Sequence, residues 1–271
     1  MPHSSEDALV RGIYQYRSFI WQRAVADLRH RYAGTGLGVV WNVLHPLAMI
    51  AIYSVIFSAL MPTSLPGVQG RFAYVLYLCS GFLPWLAFSE CITRSSNAFL
   101  ENSPYLKKLP MPEQVFVAQT AASATLGLVI SFALLLLVSL LLGQRPSPFW
   151  LLLPIPLAAM QVLGFALGLL CGTLNVFLRD VGQVLQLGLQ VVMWTAPVVW
   201  VETSLRLPRE VFAMLHCHPL WPMLTAIRDL FCAGLMPHAI VWVGVFAWPI
   251  AMFVLAWSVF RQLQPEIRDM V

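Results

Sequence analysis

The sequence predicts an all-α polytopic membrane protein: an amphipathic N-terminal interface helix, six transmembrane helices, and re-entrant helices before the last span. Three observations predict it. Of 271 residues, 59% are hydrophobic and 10% charged, against about a quarter charged in an ordinary soluble domain. The apolar residues gather into stretches long enough to cross roughly 30 Å of hydrocarbon. The 16 Lys and Arg residues are concentrated in alternate connecting segments, as membrane topology requires.

Residues 1–36 form the segment ahead of the membrane domain. Met1–Asp7 is polar and carries Glu6 and Asp7, without the basic start and cleavage site of a signal peptide, so the first span is expected to be retained. Over 9–31, Val10, Ile13, Ile20, Ala24 and Leu28 recur at helical spacing, with Arg17, Arg23, Asp27 and Arg29 on other faces. An Arg-rich amphipathic helix with Trp21 on it suits the membrane interface; a helix packed on a protein partner is the alternative. The six-helix domain occupies 37–260. Spans are expected at about 37–61, 72–92, 115–142, 149–176, 184–201 and 239–260. A turn-rich loop, Pro62–Gly70, follows span one, and a polar loop, Thr93–Gln114, follows span two. Residues 202–238 hold charges, prolines and apolar pieces too short to cross, which reads as a re-entrant external segment. Residues 261–271 are a polar tail. Small residues recur every four positions twice: Ser123, Gly127 and Ser131 in span three, and Gly164, Gly168 and Gly172 in span four. The second series is a doubled GxxxG, a groove for a close neighbouring helix.

With the N-terminus inside, 11 of the 16 basic residues fall in cytoplasmic segments and five outside. Six spans return the chain to the same side, so both termini are expected in the cytoplasm. No basic run with interleaved aromatics suggests a nucleic-acid partner. The five cysteines, 79, 91, 171, 217 and 232, show no CxxC spacing and no zinc site; pairing of Cys217 with Cys232 stays open. His216 and His218 are two apart and would not share a helix face, so no metal is assigned. There is no GxxxxGK[ST], HExxH or GxSxG, so the chain carries no ATP-binding loop and no hydrolytic motif of its own.

The carboxylate expected within a span is Glu90, with Arg94 one turn on. An interfacial ion pair is the plain reading and a functional carboxylate the other. Among the aromatics, Trp41 and Trp200 sit at span ends, where an interfacial belt accounts for them. Tyr53, Phe57 and Trp194 lie deeper, and the lining of a path for sugar rings, whose C–H faces stack on aromatic rings, stands beside the interfacial belt as a reading for them.

Four stretches taken together resemble the membrane subunits of type-2 ABC exporters. They are Asp27–Gly38 with Trp41 and His45-Pro46-Leu47; Gly81-Phe82-Leu83-Pro84-Trp85 with Asn97, Glu101-Asn102 and Lys107-Lys108; Phe177-Leu178-Arg179-Asp180-Val181 with Ala196-Pro197-Val198; and His218-Pro219-Leu220 with the Phe260–Glu266 tail. The resemblance spans nearly the whole chain and is nearest to the branch exporting O-antigen, capsule or teichoic acid polymers. His45 and His218 depart from the asparagine usual there.

The resemblance implies the channel-forming subunit of an ATP-driven exporter that moves a lipid-linked polysaccharide across the bacterial inner membrane. It implies a homodimer with two copies of a separate ATPase, which carries ATP and Mg²⁺, while this chain binds no cofactor. It implies a channel between spans one and five of both copies, where Trp41, Tyr53, Phe57, Trp194 and Trp200 would lie. Glu101, Lys107 and Lys108 in one loop, and Arg179 and Asp180 in another, would couple to the ATPase; anchoring of helix ends is the plainer role for these charges. Arg29 and Arg31, beside a glycine-rich break, would admit the pyrophosphate head group, since guanidinium binds phosphate oxygens bidentately. A type-2 permease for a small lipid or drug is the alternative. A membrane-embedded glycosyl or lipid transferase would need paired carboxylates or a DxD-like metal cluster, which the sequence lacks.

Overall fold

The computed structural model describes residues 12, 14–60, 64–65, 68–69, 72–108, 111–201 and 215–270. The expectations for residues 1–11 and 13 of the N-terminal segment, and for 202–214 of the external segment, lie outside these residues. The rest is almost entirely helical. In chain order the helices are α1 (Arg17–His30), α2 (Trp41–Leu60), α3 (Ala73–Glu101), α4 (Ser103–Lys108), α5 (Gln114–Leu141), α6 (Pro154–Phe177), α7 (Val181–Thr195), α8 (Trp221–Arg228) and α9 (Ala239–Met270). Two-residue strands, Ser64–Leu65 and Val68–Gln69, pair antiparallel after α2.

Among the described residues five helices are long and apolar enough to cross a membrane: α2, α3, α5, α6 and α9, α2 and α6 each with a 3₁₀ turn at its start. Three of the six predicted spans differ from the helices observed. Helix α3 runs on to Glu101, because Ser95, Ser96 and Ala98 are buried against neighbours and the polar stretch is not a solvated loop. Helix α9 runs through Pro265 to Met270 because Ile267 is fully buried, so the tail 261–270 is helix and part of the fold. The predicted fifth span is helical only over the 15 residues of α7, about 22 Å; Ala196, with φ −78° and ψ 148°, leaves the helix ahead of Pro197.

The core is built around α3 and α6. They run parallel in register, Phe88 and Cys91 facing Gly164, and Ser95 facing Gly168 and Gly172. A Cβ on Gly168 would stand 2.5 Å from the Ser95 Cβ, and one on Gly172 2.7 Å from the Ser95 carbonyl oxygen, so only glycine permits this approach. The doubled GxxxG of span four is therefore filled by span two. Helix α5 runs antiparallel to α3, with the Ser95 and Thr120 hydroxyls 2.8 Å apart at the Glu101 end and Leu128–Leu135 clustered with Ala73–Leu83 at the other. Helix α9 runs parallel to α6: Met160 shares a cluster with Val245, the Phe165 and Phe253 rings lie 6.3 Å apart, and Val176 clusters with Phe260.

Because α6 and α9 run the same way, the chain between them must return across the bundle. Helix α7 begins beside Asn175, whose amide bonds Ser96 near the Glu101 end of α3. The chain reaches Val199 where its carbonyl accepts from the Tyr74 hydroxyl near the start of α3 (2.9 Å). Those two levels are about 30 Å apart along α3. Helix α8, eight residues and about 12 Å long, continues into a π-turn over Asp229–Ala233 and is buried against α3, α6 and α9.

Candidate functional site

Helix α1 buries Ile20, Ala24 and Leu28, one residue per turn. This stripe fixes how the helix lies on the bundle and turns Asp27 and Arg31, one turn apart, towards α3. Arg94 of α3 donates both terminal nitrogens to Asp27, Nη1 to Oδ2 at 2.8 Å and Nη2 to Oδ1 at 2.7 Å. The Ser123 hydroxyl of α5 donates to Asp27 Oδ2 as well. Glu90, one turn before Arg94, accepts from Arg94 Nη1 at 3.3 Å and lies 2.6 Å from Arg31 Nη2. The predicted Glu90–Arg94 pair is thus half of a four-charge cluster with zero net charge that joins α1, α3 and α5. Partial burial pushes the Asp27 carboxyl up, but the hydrogen bonds from Arg94 and Ser123 and both guanidinium charges outweigh it, holding the group below its ordinary value.

Beside this cluster is a cavity of about 480 Å³ between α2, α3 and α5. Arg31 and Tyr32 close it from the end of α1, Trp41, Asn42 and His45 line it from α2, Glu90 and Arg94 from α3, and Gly127 and Ser131 from α5. The small-residue stripe of span three therefore meets the charge cluster at Ser123 and opens onto the cavity at Gly127 and Ser131, with nothing within 4 Å of a Cβ on Gly127. Tyr32 and Trp41 have ring centroids 6.3 Å apart. The Asn42 amide donates to the Leu28 carbonyl at 3.0 Å, tying the start of α2 to the end of α1.

The structure separates the predicted head-group arginines. Arg29 is exposed, whereas Arg31, on the other side of the chain, is occupied by Glu90 and Asp27. Of the predicted channel aromatics, Trp41 reaches the cavity. Tyr53 and Phe57 turn onto α3, where Tyr53 meets Phe82 edge-on at 5.3 Å and Phe57 lies 5.1 Å from Tyr74. Trp194 is exposed, and the Trp200 indole N–H donates to its carbonyl at 3.0 Å. The residues expected to couple to the ATPase gather at one end of the bundle. Glu101, Lys107 and Lys108 are exposed, and Leu106 between them is buried with Phe116, Phe260 and Ile267. Arg179 and Asp180 are exposed on the turn into α7. The helix ends that lead into these two loops are tied together by Asn175 of α6, whose Nδ2 donates to the Ser96 carbonyl (2.9 Å) and to Asn97 Oδ1 (3.1 Å) of α3. The His216 ring lies tilted against Trp221, with ring centroids 4.3 Å apart, and His218 Nδ1 accepts from the Leu220 N–H, so each imidazole serves the turn into α8. Cys217 and Cys232 are unpaired, the first exposed and the second buried beside Ser80.

Sequence reasoning missed three residues. Asp27 sat among the solvated charges of α1; its i,i+4 spacing to Arg31 was visible, but its partner Arg94 is 67 residues away. Arg228, assigned to an external segment, is buried, with its guanidinium 3.9 Å from the Tyr77 ring centroid and donating to the Val198 carbonyl at 2.9 Å. Glu113 is 3% exposed and accepts from Arg268 and Gln264 of α9.

Residues 18–232 match the ABC-2 type transporter family. The chain is 26% identical to the O-antigen export system permease protein RfbA of Klebsiella pneumoniae over 90% of its own length and 92% of that protein. It is 24% identical to the protein of the same name from Myxococcus xanthus, over 97% and 99% respectively. It is also 24% identical to the polysialic acid transport protein KpsM of Escherichia coli, over 84% and 85%.

Proposed function

The chain belongs to the ABC-2 type transporter family, and we propose that it is the membrane-spanning subunit of an ATP-driven exporter carrying a lipid-linked polysaccharide out of the cytoplasm. Its relatives named above are permease proteins of O-antigen and polysialic acid transport, and its helices suit a multi-pass permease. Two copies work with a separate ATPase in the bacterial inner membrane, and six crossings put both termini in the cytoplasm. The parallel run of α6 and α9 supports a fifth crossing, by α7 and residues 196–201, which makes six in all.

One observation carries the reading. In its most apolar stretch 78% of α3 is buried within the chain, against 11% for α2, and α7 has no buried residue. Helices α2 and α7 lie on the outside of the bundle, with Val55, Val184, Leu187, Val191 and Trp194 all exposed. Bilayer or a second copy must cover them, and a two-copy channel between spans one and five uses these two helices. In that channel Trp194 and Trp200 face the polymer from α7 and its end, and Trp41 from the inner mouth; Tyr53 and Phe57 shape α2 through their contacts with α3. Arg29 meets the lipid-linked head group, and Arg31 joins it only when Glu90 releases it. Glu101, Lys107, Lys108, Arg179 and Asp180 face the ATPase.

Deletion of the gene tests the reading. Loss of surface polysaccharide with lipid-linked polymer accumulating inside is expected. Normal surface polymer with altered lipid or drug sensitivity overturns it in favour of a small-substrate permease. An Arg179→Ala, Asp180→Ala double variant is expected to lower export while the subunit stays in the membrane, and unchanged export removes the coupling role.

A further inference from the structure

Besides the apolar stripe that seats it on Val115 and Ala118 of α5, helix α1 makes side-chain contacts at three places, each with a different part of the bundle. Near its middle, the Arg23 guanidinium lies 5.7 Å from the ring centroid of Tyr105 in α4, the short helix that carries Lys107 and Lys108. One turn later, Asp27 is gripped bidentately by Arg94 of α3 and by Ser123 of α5. At its end, the Leu28 carbonyl takes the Asn42 amide of α2, and Arg31 and Tyr32 form a wall of the 480 Å³ cavity. Beyond Tyr32 the chain is loosely held. Residues 33–37 are exposed, Gly34 and Gly38 have φ of +86° and +49°, and no atom lies within 4 Å of a Cβ at either. An unpacked, glycine-permitted turn at the end of a helix is a place where a hinge can form.

We infer that Asp27 and Arg94 are positioning residues for transport: their bidentate pair makes α1 a lever that delivers movement of α4 to the Arg31–Tyr32 wall of the cavity and to the start of α2. The inference rests on the transport reading above and goes beyond it, since that reading assigns coupling only to the loops at 101–108 and 179–180. The pair suits a lever better than a simple anchor does. Both terminal nitrogens of one guanidinium engage both oxygens of one carboxylate, which fixes orientation as well as distance. The cluster has zero net charge, so every contact within it is a trade between partners: if Arg94 leaves Asp27, Asp27 keeps Arg31 at 3.6 Å and Ser123, Arg94 keeps Glu90 at 3.3 Å, and Glu90 keeps Arg31 at 2.6 Å. Two arrangements of four charges are thus available without leaving any of them bare, the condition for a two-state element. The helix meets α4 at Arg23 and Tyr105, one turn before the clamp, and the cavity at Arg31 and Tyr32, one turn after it.

The test uses the full chain with its own ATPase, in cells and as the purified complex. Asp27→Arg and Arg94→Asp are made singly and together, with Asp27→Asn and Arg94→Lys as milder variants that keep the size of the side chain. Subunit level in the membrane, ATP hydrolysis by the complex and polymer reaching the surface are measured. Each single charge reversal is expected to cut export about tenfold while hydrolysis continues, so that polymer exported per ATP falls. The double reversal is expected to recover most of it. Arg94→Lys, which keeps the charge but not the bidentate grip, is expected to lose export per ATP as well. Export per ATP equal to that of the unmodified chain in the single variants overturns the inference. So does a loss in which subunit level, hydrolysis and export fall in proportion in the mild variants too, because that is an anchor and not a lever. Absence of any polymer export by the unmodified complex would instead remove the transport reading itself.

Discussion

Two stripes of small residues with the same four-residue spacing end in opposite surroundings. In α6, Gly164, Gly168 and Gly172 are filled by Phe88, Cys91 and Ser95 of α3, with no room for a methyl group at the last two. In α5, Ser123, Gly127 and Ser131 border an open cavity and a charge cluster. Spacing records that a neighbour can come close; what arrives is decided by the facing helix. Helix α3 offers small or flat groups to α6, and on its other side it offers Glu90 and Arg94, which border the cavity and pair with Asp27 and Arg31 at the end of α1.

The contrast can be broken most forcefully at Gly168. Gly168→Leu is expected to abolish a stable fold, because overpacking by well beyond one methyl group costs about 3 kcal/mol or more against backbone and Ser95 that cannot retreat; loss of the subunit from the membrane checks it. Asn175→Leu, at the end of the same seam, removes the amide's bonds to Ser96 and Asn97 and is expected to cost about 1–3 kcal/mol, read as a lower melting temperature in detergent. A third expectation concerns pH. The Asp27 carboxyl is held below its ordinary 3.8, so its contribution is complete above that value and is lost as pH falls through the depressed one. Proteolysis of α1 in the purified protein is expected to be unchanged from pH 7 to 5 and to rise only below about 4. The smallest effect is expected at Gly127→Leu, where the side chain meets open space: subunit level and melting temperature stay within about 0.5 kcal/mol of the parent, in direct opposition to Gly168→Leu.

The helices were legible because lipid-facing surface must be apolar whatever it packs on, so span length can be counted from one sequence. The close approach at Gly164–Gly172 was legible for the same local reason, and so was the Glu90–Arg94 pair, set by one helical turn. What escaped depends on partners far along the chain. The polar stretch Thr93–Glu101 reads as a loop until Ser95 is set against Gly168 and Thr120. Arg31 reads as a free cation until Glu90, 59 residues on, is brought beside it. The predicted fifth span fell short as a helix because Ala196-Pro197 stops it, a break that Pro alone announces, while the direction of the chain beyond it follows from Tyr74 and Arg228.

The tie between Glu113 and Arg268 has a consequence for biosynthesis. The two residues are 155 apart in sequence, so at ribosomal speeds the carboxylate waits about ten to thirty seconds for its guanidinium. Until the last helix has been made, a buried acid at the head of α5 has no cation, and the surface around Leu106 lacks Ile267. The nascent chain therefore finishes this end of the bundle last, and a chain terminated a few residues early would carry its defect 155 residues upstream of the missing piece, where a membrane protease surveying unassembled subunits would meet it.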